Sequence, residues 1–223
     1  MASMIELKAA DGHKLAAYRA EPQGKPRGAV VVIQEIFGVN KHIKAVADGY
    51  AADGYLVIAP AMFDREQRGY DTGYTPPEIE TGRALMQKMD WKQTMQDTAA
   101  AVEVAKAAGK VGIVGYCWGG TVAWVAAARL SGLACAAPYY GGGMPGFIGE
   151  KPKCPTMCHF GEQDQTPSLA QAKEIAKAHP EITAHYYPGA GHGFNCDHRA
   201  SFNAEASKLA RQRTLEFFRK HLG

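Results

Sequence analysis

Apolar runs alternate along the chain with longer amphipathic stretches. Four of these runs are continuous and rich in β-branched or small apolar residues, and they lie at 29–34, 55–60, 110–116 and 133–140. Runs without polar alternation are typical of strands buried on both faces. Two further strands are predicted at 155–160 and 182–187. Helical patterns fall between and after the strands, at 41–53, 77–107, 119–131, 168–179 and 201–221.

This alternation predicts a mostly parallel sheet with helices on both faces, joined by right-handed crossovers. Residues 4–20 read as two short strands around the turn Asp11-Gly12, which adds a hairpin at a sheet edge and brings the expected total to eight strands. No repeat or linker divides the chain, so we expect one domain over residues 1–223. In such a fold the functional residues lie at the carboxyl ends of the strands.

Composition and charge narrow the class of protein. The 25 glycines among 223 residues indicate many tight turns, and the net charge is only +3. No run of basic residues with interleaved aromatics supports nucleic-acid binding. The first residues contain no apolar signal-peptide core, and no stretch approaches the ~20 apolar residues of a membrane span. We therefore expect a cytoplasmic protein that binds neither nucleic acid nor membrane.

The five cysteines are odd in number and show no C-x-x-C spacing, which argues against a disulfide framework and a structural zinc site. A metal site at Cys154, Cys158 and His159 is disfavoured because alternate positions on one strand point to opposite faces. The sequence thus predicts free thiols and no bound metal.

The segment 110–130 predicts a strand, the turn GYCWG and then a helix. This order has the form of a nucleophile elbow, G-x-Nu-x-G, in which Gly115 and Gly119 permit a sharp turn and Cys117 is the nucleophile. A cysteine beside glycines is also common as a small buried residue. The context favours the elbow, because an acid and then a histidine follow later in the chain.

The acid is predicted to be Asp164, directly after a strand, with Glu162 as a possible substitute; either carboxylate could instead cap the following helix. The base is predicted to be His192, in a glycine-rich loop after the last strand. An imidazole can take the proton of a thiol, and an aspartate can fix the orientation of the imidazole. These residue types together indicate attack of Cys117 on a carbonyl carbon.

An oxyanion formed in this attack needs preset N–H donors. We expect them to be the backbone N–H groups of Trp118, directly after Cys117, and of Ile36, in the loop after the strand 29–34. Glu35 precedes Ile36 and should therefore face the elbow, where it could accept the thiol proton. Alternatively, Glu35 is a charged side chain of the loop that is exposed to solvent.

The motifs QEIFGVN, GYCWGG, the G-x-x-D at 161–164 and AGHGF resemble as a set those of the dienelactone hydrolase family, over essentially the whole chain. The resemblance implies an α/β-hydrolase fold without a separate lid domain. It also implies hydrolysis of a carboxylic ester or enol lactone through a thioester, with no cofactor or metal, by a cytoplasmic monomer. The family's roles carry over to Cys117, Asp164 and His192, with Glu35 as the cysteine-activating carboxylate and with Ile36 and Trp118 as the oxyanion donors.

The sequence departs from the family pattern at the two arginines that bind a substrate carboxylate. Cys196 and Ile79 stand at those positions, and Arg83 or Arg199 could substitute for them. We expect residues 62–90 to roof the pocket. Its aromatic lining is predicted to come from Phe37, Trp118, Tyr139 and Phe194.

Two other functions remain open from the sequence. A thioesterase or acyltransferase could use the same three residues and would differ only in the acyl acceptor. A non-hydrolytic thiol sensor could oxidise Cys117, with Cys196 as a resolving cysteine nearby.

Overall fold

One eight-stranded sheet organises the chain in the computed structural model, which describes residues 2–223. The strands are β1 (Ala2–Lys8), β2 (Lys14–Ala20), β3 (Ala29–Ile33), β4 (Leu56–Pro60), β5 (Val111–Tyr116), β6 (Leu133–Tyr139), β7 (Met157–Gly161) and β8 (Thr183–Tyr187). Their spatial order is β1-β2-β4-β3-β5-β6-β7-β8. The pairs from β4 to β8 are parallel, and β2 runs antiparallel to both β1 and β4.

The order of the central strands fixes where a site can form. After β3 the chain crosses to β4 on one side, and it then returns to β5 on the other side of β3. When the connections from two adjacent parallel strands run to opposite sides, a crevice opens at the carboxyl ends of those two strands. β3 leads to Glu35 and Ile36, and β5 leads to Cys117, so both candidate segments lie at this crevice.

Six α-helices within residues 2–223 cover the two faces of the sheet. They are α1 (Lys41–Ala52), α2 (Pro76–Lys88), α3 (Trp91–Ala105), α4 (Trp118–Arg129), α5 (Leu169–Ala178) and α6 (Ala204–Leu222). The residues of α1 and α6 bury one core with one face of the strands, and those of α2 to α5 bury a second core on the other face. Because both faces are covered, every residue of β3, β4 and β5 is buried, as their apolar runs predict.

The single helix predicted over 77–107 is wrong, because this segment forms two helices. Met89 leaves α2 in an extended conformation, and the Asp90 side chain accepts a hydrogen bond of 2.9 Å from the backbone N–H of Gln93. An aspartate competes with the helix for backbone N–H groups and favours the cap position. The break lets α3 pack against the sheet while α2 lies over the crevice.

The roof over the crevice is α2 and its flanking loops, and the described chain has no separate lid domain. Gly82 of α2 packs so closely on the backbone carbonyl of Ile36 that a side chain at position 82 would collide with it. No helix within residues 2–223 combines the length and the apolar character needed to cross a membrane.

Candidate active site

Cys117 occupies a strained turn between β5 and α4. Its φ of 57° and ψ of −120° lie in a region that L-residues rarely adopt. The turn is possible because its neighbours lack side chains: a Cβ at Gly115 would collide with the carbonyl of Gly119, and a Cβ at Gly119 would collide with the carbonyl of Gln34. The G-x-C-x-G spacing is therefore a steric requirement of this turn.

Two hydrogen-bonded contacts connect Cys117, His192 and Asp164. His192 Nε2 lies 3.0 Å from Cys117 Sγ, and His192 Nδ1 lies 2.9 Å from Asp164 Oδ2. The other carboxylate oxygen of Asp164 accepts a bond of 2.8 Å from the backbone N–H of Thr166. Asp164 is buried, whereas the alternative acid Glu162 is exposed to solvent. The structure thus brings together the three residues that the motifs single out, and it leaves Glu162 outside.

The surroundings of His192 favour its protonated form. Burial by itself lowers the pKa of the imidazole, but the negative charge of the neighbouring Cys117 sulfur and the hydrogen bond with Asp164 outweigh it and raise the pKa to about 10. An imidazole with such a pKa keeps its proton beside a thiolate. This arrangement can hold a thiolate–imidazolium pair and later return the proton to a leaving group.

Trp118 and Ile36 line the same pocket as Cys117. Trp118 is the first residue of α4, so its backbone N–H has no partner within the helix. Ile36 follows β3, and its main chain is held in place by the close contact with Gly82. That these two backbone N–H groups are the oxyanion donors stays a prediction.

Glu35 is fully buried, so the alternative prediction of a solvent-exposed charge on the loop is wrong. Its Oε1 accepts a hydrogen bond of 3.1 Å from Arg199 Nη1, while its Oε2 is buried without a hydrogen-bond partner. The guanidinium of Arg199 also lies 5.8 Å from the ring centroid of Phe37. In this state the Glu35 carboxylate is therefore engaged by an arginine of the pocket.

The pocket beside Cys117 has a volume of about 800 Å³. Phe37 and Arg83 line the pocket, as the sequence predicts. Arg199, the other arginine that could bind a substrate carboxylate, lines it too. Such a cavity suits a small organic molecule. Two arginines, Arg83 and the Glu35-paired Arg199, offer guanidinium groups in its wall to an anionic group of a ligand.

The prediction that Tyr139 and Phe194 line the pocket needs correction, because both are fully buried in the core outside it. Tyr139 stacks on His159 with ring centroids 4.2 Å apart, and its hydroxyl lies 2.6 Å from Thr214 Oγ1. Phe194 packs against Tyr187 with centroids 5.1 Å apart. Both rings belong to the core on the α6 side of the sheet.

Sequence reasoning missed the aromatic pair that forms part of the pocket wall. Trp91 and Phe147 both line the pocket, and their rings meet edge to face with centroids 4.6 Å apart. Trp91 begins α3 and Phe147 ends a short 3-10 helix, Met144–Phe147. Neither position carries a periodic signal that could have indicated a pocket.

All five cysteines are free thiols. His159 is bonded to the hydroxyls of Tyr187 and Thr214, at 2.7 and 3.0 Å, and does not join Cys154 and Cys158 in a cluster of metal ligands. Among residues 2–223 one group could hold a metal ion by its geometry, and it consists of Glu35, His42 and Cys196.

A mostly parallel sheet with a nucleophile elbow at its carboxyl edge defines an α/β-hydrolase. The chain belongs to the dienelactone hydrolase family, whose model matches residues 15–222, and it is a hydrolase of carboxylic esters or lactones. This confirms the resemblance and the fold class that the motifs indicate.

Relatives and solved structures agree with this assignment. The chain is 34% identical to a putative carboxymethylenebutenolidase of Synechocystis sp., over 94% of this chain and 93% of the relative. It is 32% identical to the carboxymethylenebutenolidase of Pseudomonas putida, over 96% and 94% of the two chains. The crystal structure of a putative dienelactone hydrolase from Klebsiella pneumoniae superposes with a TM-score of 0.84 at 27% identity, covering 98% of each chain.

Proposed function

We propose that the protein hydrolyses a small carboxylic ester or enol lactone through a thioester on Cys117. The observation that carries this proposal is the continuous connection from Cys117 Sγ through the imidazole of His192 to the Asp164 carboxylate, at 3.0 and 2.9 Å. Such a connection activates a weak nucleophile and fixes the tautomer of its base.

In the first half of the reaction the Cys117 thiolate attacks the carbonyl carbon and forms a tetrahedral intermediate. The backbone N–H groups of Trp118 and Ile36 stabilise the oxyanion. When the carbon–oxygen bond breaks, the alcohol or enolate leaving group takes the proton of the His192 imidazolium. The acyl group stays on the sulfur as a thioester.

In the second half, neutral His192 removes a proton from a water molecule, which attacks the thioester carbonyl. Collapse of this intermediate releases the carboxylic acid and returns the thiolate and the imidazolium. Asp164 keeps the imidazole in position throughout, because its two oxygens are held by His192 and by the backbone of Thr166.

Glu35 is proposed to activate Cys117 at the moment of substrate binding. Its carboxylate is buried at the end of β3, beside the oxyanion donor Ile36, and it is paired with Arg199. A substrate carboxylate that binds Arg199 would compete for this ion pair and release Glu35 toward Cys117. There Glu35 would take the proton of Cys117 molecules that are still in the thiol form and pass it to His192, which completes the thiolate–imidazolium pair before attack. The same arginine would thus recognise the substrate and control the activating carboxylate.

The pocket favours substrates with a carboxylate. Arg83 and Arg199 both line it, together with the aromatic wall of Trp91 and Phe147. Guanidinium groups bind carboxylates by paired, charge-assisted hydrogen bonds. The names of the carboxymethylenebutenolidase relatives point the same way, and we propose an anionic lactone or ester as the preferred substrate.

The two alternative functions, acyl transfer and thiol sensing, have unequal support. A thioesterase or acyltransferase uses the same atoms and is distinguished only by whether water or another nucleophile receives the acyl group. The thiol-sensor function has less support, because Cys196 is fully buried and burial, together with the Glu35 charge, raises its pKa to about 11. Neutral buried thiols react slowly with oxidants.

Replacement of Cys117 tests the proposal directly. Hydrolysis of a chromogenic ester by Cys117→Ala should fall by at least about a thousandfold, and mass spectrometry of the rapidly quenched wild type should show an acyl adduct on the peptide that contains Cys117. Cys154→Ala, at a half-buried thiol outside the pocket, is the matched control and should keep full activity. Retention of more than about a tenth of the activity by Cys117→Ala would exclude the thioester route.

A further inference from the structure

Glu35, His42 and Cys196 come together from three distant segments: the end of β3, the first turn of α1 and the loop after His192. One potential ligand atom of each lies within 4.8 Å of the other two. All three side chains are buried, and none of them lines the substrate pocket. The cluster is therefore separate from the pocket, although Glu35 is bonded to Arg199, which lines the pocket.

Two atoms of this cluster are buried polar groups without a hydrogen-bond partner, namely Glu35 Oε2 and His42 Nε2. One carboxylate oxygen of Glu35 and one ring nitrogen of His42 lie within 4.8 Å of each other and of Cys196 Sγ. Oε1 is bonded to Arg199 and Nδ1 to Asp197, so the unpartnered Oε2 and Nε2 are the free candidates for ligands. Unsatisfied buried polar atoms are costly and rare in folded proteins, so each needs an explanation. A cation between them would satisfy both.

Hydrogen bonds to the other side-chain atoms leave His42 Nε2 and Glu35 Oε2 with lone pairs free for a metal ion. His42 Nδ1 lies 3.2 Å from Asp197 Oδ1, and because a carboxylate only accepts, the hydrogen is on Nδ1 and the lone pair is on Nε2. Metal-binding histidines usually have such a carboxylate partner. Glu35 Oε1 is bonded to Arg199, which leaves Oε2 for a second ligand.

We propose that Glu35, His42 and Cys196 bind one divalent transition-metal ion, for which zinc is the best match. A thiolate, an imidazole and a carboxylate are the ligands that zinc takes in proteins, whereas magnesium and calcium prefer oxygen alone. Tetrahedral bonds of about 2.0–2.3 Å to zinc separate the ligand atoms by about 3.3–3.6 Å. The three candidate ligand atoms lie within 4.8 Å of one another, so small side-chain movements would bring them to this separation.

Binding requires only one covalent change in the protein. The Cys196 thiol releases its proton to solvent as the sulfur bonds the ion, and His42 and Glu35 bind through existing lone pairs. The two negative charges of Cys196 and Glu35 then balance the charge of the ion. Arg199 can keep its bond to Glu35 Oε1, because the metal uses the other oxygen.

The site has a regulatory consequence, which rests on the role proposed above for Glu35. A metal bound to Oε2 would hold the Glu35 carboxylate beside His42 and Cys196 and prevent it from reaching Cys117. Zinc would then slow thioester formation without occupying the pocket. The protein would act as an esterase that a transition metal inhibits reversibly.

Direct binding measurements test the site without reference to activity. Equilibrium dialysis against zinc should give one tightly bound ion per chain in wild type, and cobalt should give a sulfur-to-metal charge-transfer band in its absorption spectrum. Cys196→Ser and His42→Gln should lose both signals. Cys117→Ser and Cys154→Ser should keep them, since neither sulfur belongs to the cluster. Circular dichroism and thermal unfolding of each variant check that it is folded.

Three results would overturn the site: no tight binding by wild type, binding retained by Cys196→Ser, or binding lost in Cys117→Ser. The last would place the metal on the catalytic thiol instead. For regulation, zinc should inhibit ester hydrolysis by wild type, a chelator should restore it, and Cys196→Ser should resist inhibition. Stoichiometric binding with unchanged hydrolysis would overturn the regulatory role alone, whereas an active Cys117→Ala would contradict the thioester mechanism and leave the metal site standing.

Discussion

The carboxylate of Glu35 and the guanidinium of Arg199 form an ion pair of 3.1 Å between the end of β3 and the loop after His192. The glutamate is fully buried, while the arginine reaches the wall of the substrate pocket. The pair therefore joins a charge that can meet substrate to a charge that can act on the nucleophile. The motifs lead us to expect an arginine at position 196, so the place of Arg199 in this ion pair is known only from the fold.

Arg199→Ala should reduce the preference for anionic substrates. We expect the ratio of kcat/KM for a carboxylate-bearing ester to kcat/KM for its neutral amide analogue to fall about 10- to 100-fold, because hydrogen bonds to charged groups contribute about 1.5–3 kcal/mol. Arg83→Ala should lower the same ratio by a smaller factor, since Arg83 is exposed and its charge is screened. Loss of Arg199 also leaves Glu35 unpaired, which changes kcat/KM for both substrates. This common effect cancels in the ratio of the two kcat/KM values.

Arg68→Ala provides the control, because Arg68 is an exposed arginine paired with Glu6 outside the pocket. Its substrate ratio should equal that of wild type. An equal loss for charged and neutral substrates in Arg199→Ala would mean that Arg199 only supports Glu35 and does not contact substrate.

Glu35→Gln should slow formation of the thioester by about a hundredfold, the usual range for loss of a general base. The amide oxygen can still accept the hydrogen bond of Arg199, so the pocket should keep its shape. Single-turnover acylation, followed together with the ultraviolet absorbance of the thiolate, measures the step. Glu162→Gln removes an exposed carboxylate close to Asp164 in the sequence and should leave acylation unchanged. Identical acylation rates in Glu35→Gln and wild type would leave His192 as the sole base.

The protonated state of His192 should make stability depend on pH in the alkaline range. The imidazole pKa is about 10 in the folded protein and 6.5 in the reference state. Beside a Cys117 thiolate, this proton is matched in the unfolded chain by the thiol proton up to about pH 8.5, the usual pKa of a free cysteine. Above that pH the folded pair holds a proton that the unfolded chain has released, so the free energy of unfolding decreases as pH rises. The contribution is lost as pH passes through about 10, the pKa of the folded His192 imidazole.

Urea unfolding at several pH values from about 6 to 10 measures this linkage. Relative to wild type, His192→Gln should show a flatter profile over this range. Cys117→Ser should move the pH-dependent range to lower pH. The variant has no thiol proton in the unfolded chain, and it lacks the Cys117 charge, which is the largest of the effects that raise the His192 pKa. Parallel profiles for wild type and His192→Gln would show that His192 is not protonated beside Cys117.

The parts of the fold and site that sequence predicts well depend on local pattern. Buried strands appear as apolar runs, and the elbow appears as G-x-C-x-G because glycine is required where the backbone of β5 meets α4. Strand ends then bring Cys117, Asp164 and His192 to one edge of the sheet. Such features need no knowledge of long-range packing.

The errors have a different origin. A run that is apolar on both sides does not indicate which face of the sheet each residue occupies. The sequence therefore predicts Tyr139 in the pocket, although it lies in the core near α6. The amphipathic pattern continues across Asp90, so two helices read as one. The cluster of Glu35, His42 and Cys196 depends on three segments that only the folded chain brings together. No periodicity or motif connects these positions.

Thr214 should contribute more to stability than a buried threonine usually does. Its hydroxyl lies 2.6 Å from the Tyr139 hydroxyl and 3.0 Å from His159 Nε2, and it also donates to the carbonyl of Ala210 at 3.0 Å. Thr214→Val keeps the shape of the side chain but leaves Tyr139 and His159 with buried, unsatisfied polar atoms. Because each such atom costs about 1–3 kcal/mol, we expect the free energy of unfolding to fall by about 2–5 kcal/mol.

Thr98→Val is the matched control for this loss. Thr98 is also buried in a helix, but its hydroxyl makes a single bond of 2.8 Å to the carbonyl of Thr94, one turn earlier. Its removal leaves no side chain without a partner, so the cost should stay near 1 kcal/mol or below. Urea unfolding measures both variants, and the activity of the folded fraction should be unchanged because neither threonine lines the pocket. Equal destabilisation by the two substitutions would show that His159 and Tyr139 find other partners, and that the hydroxyl of Thr214 does not connect α6 to β6 and β7.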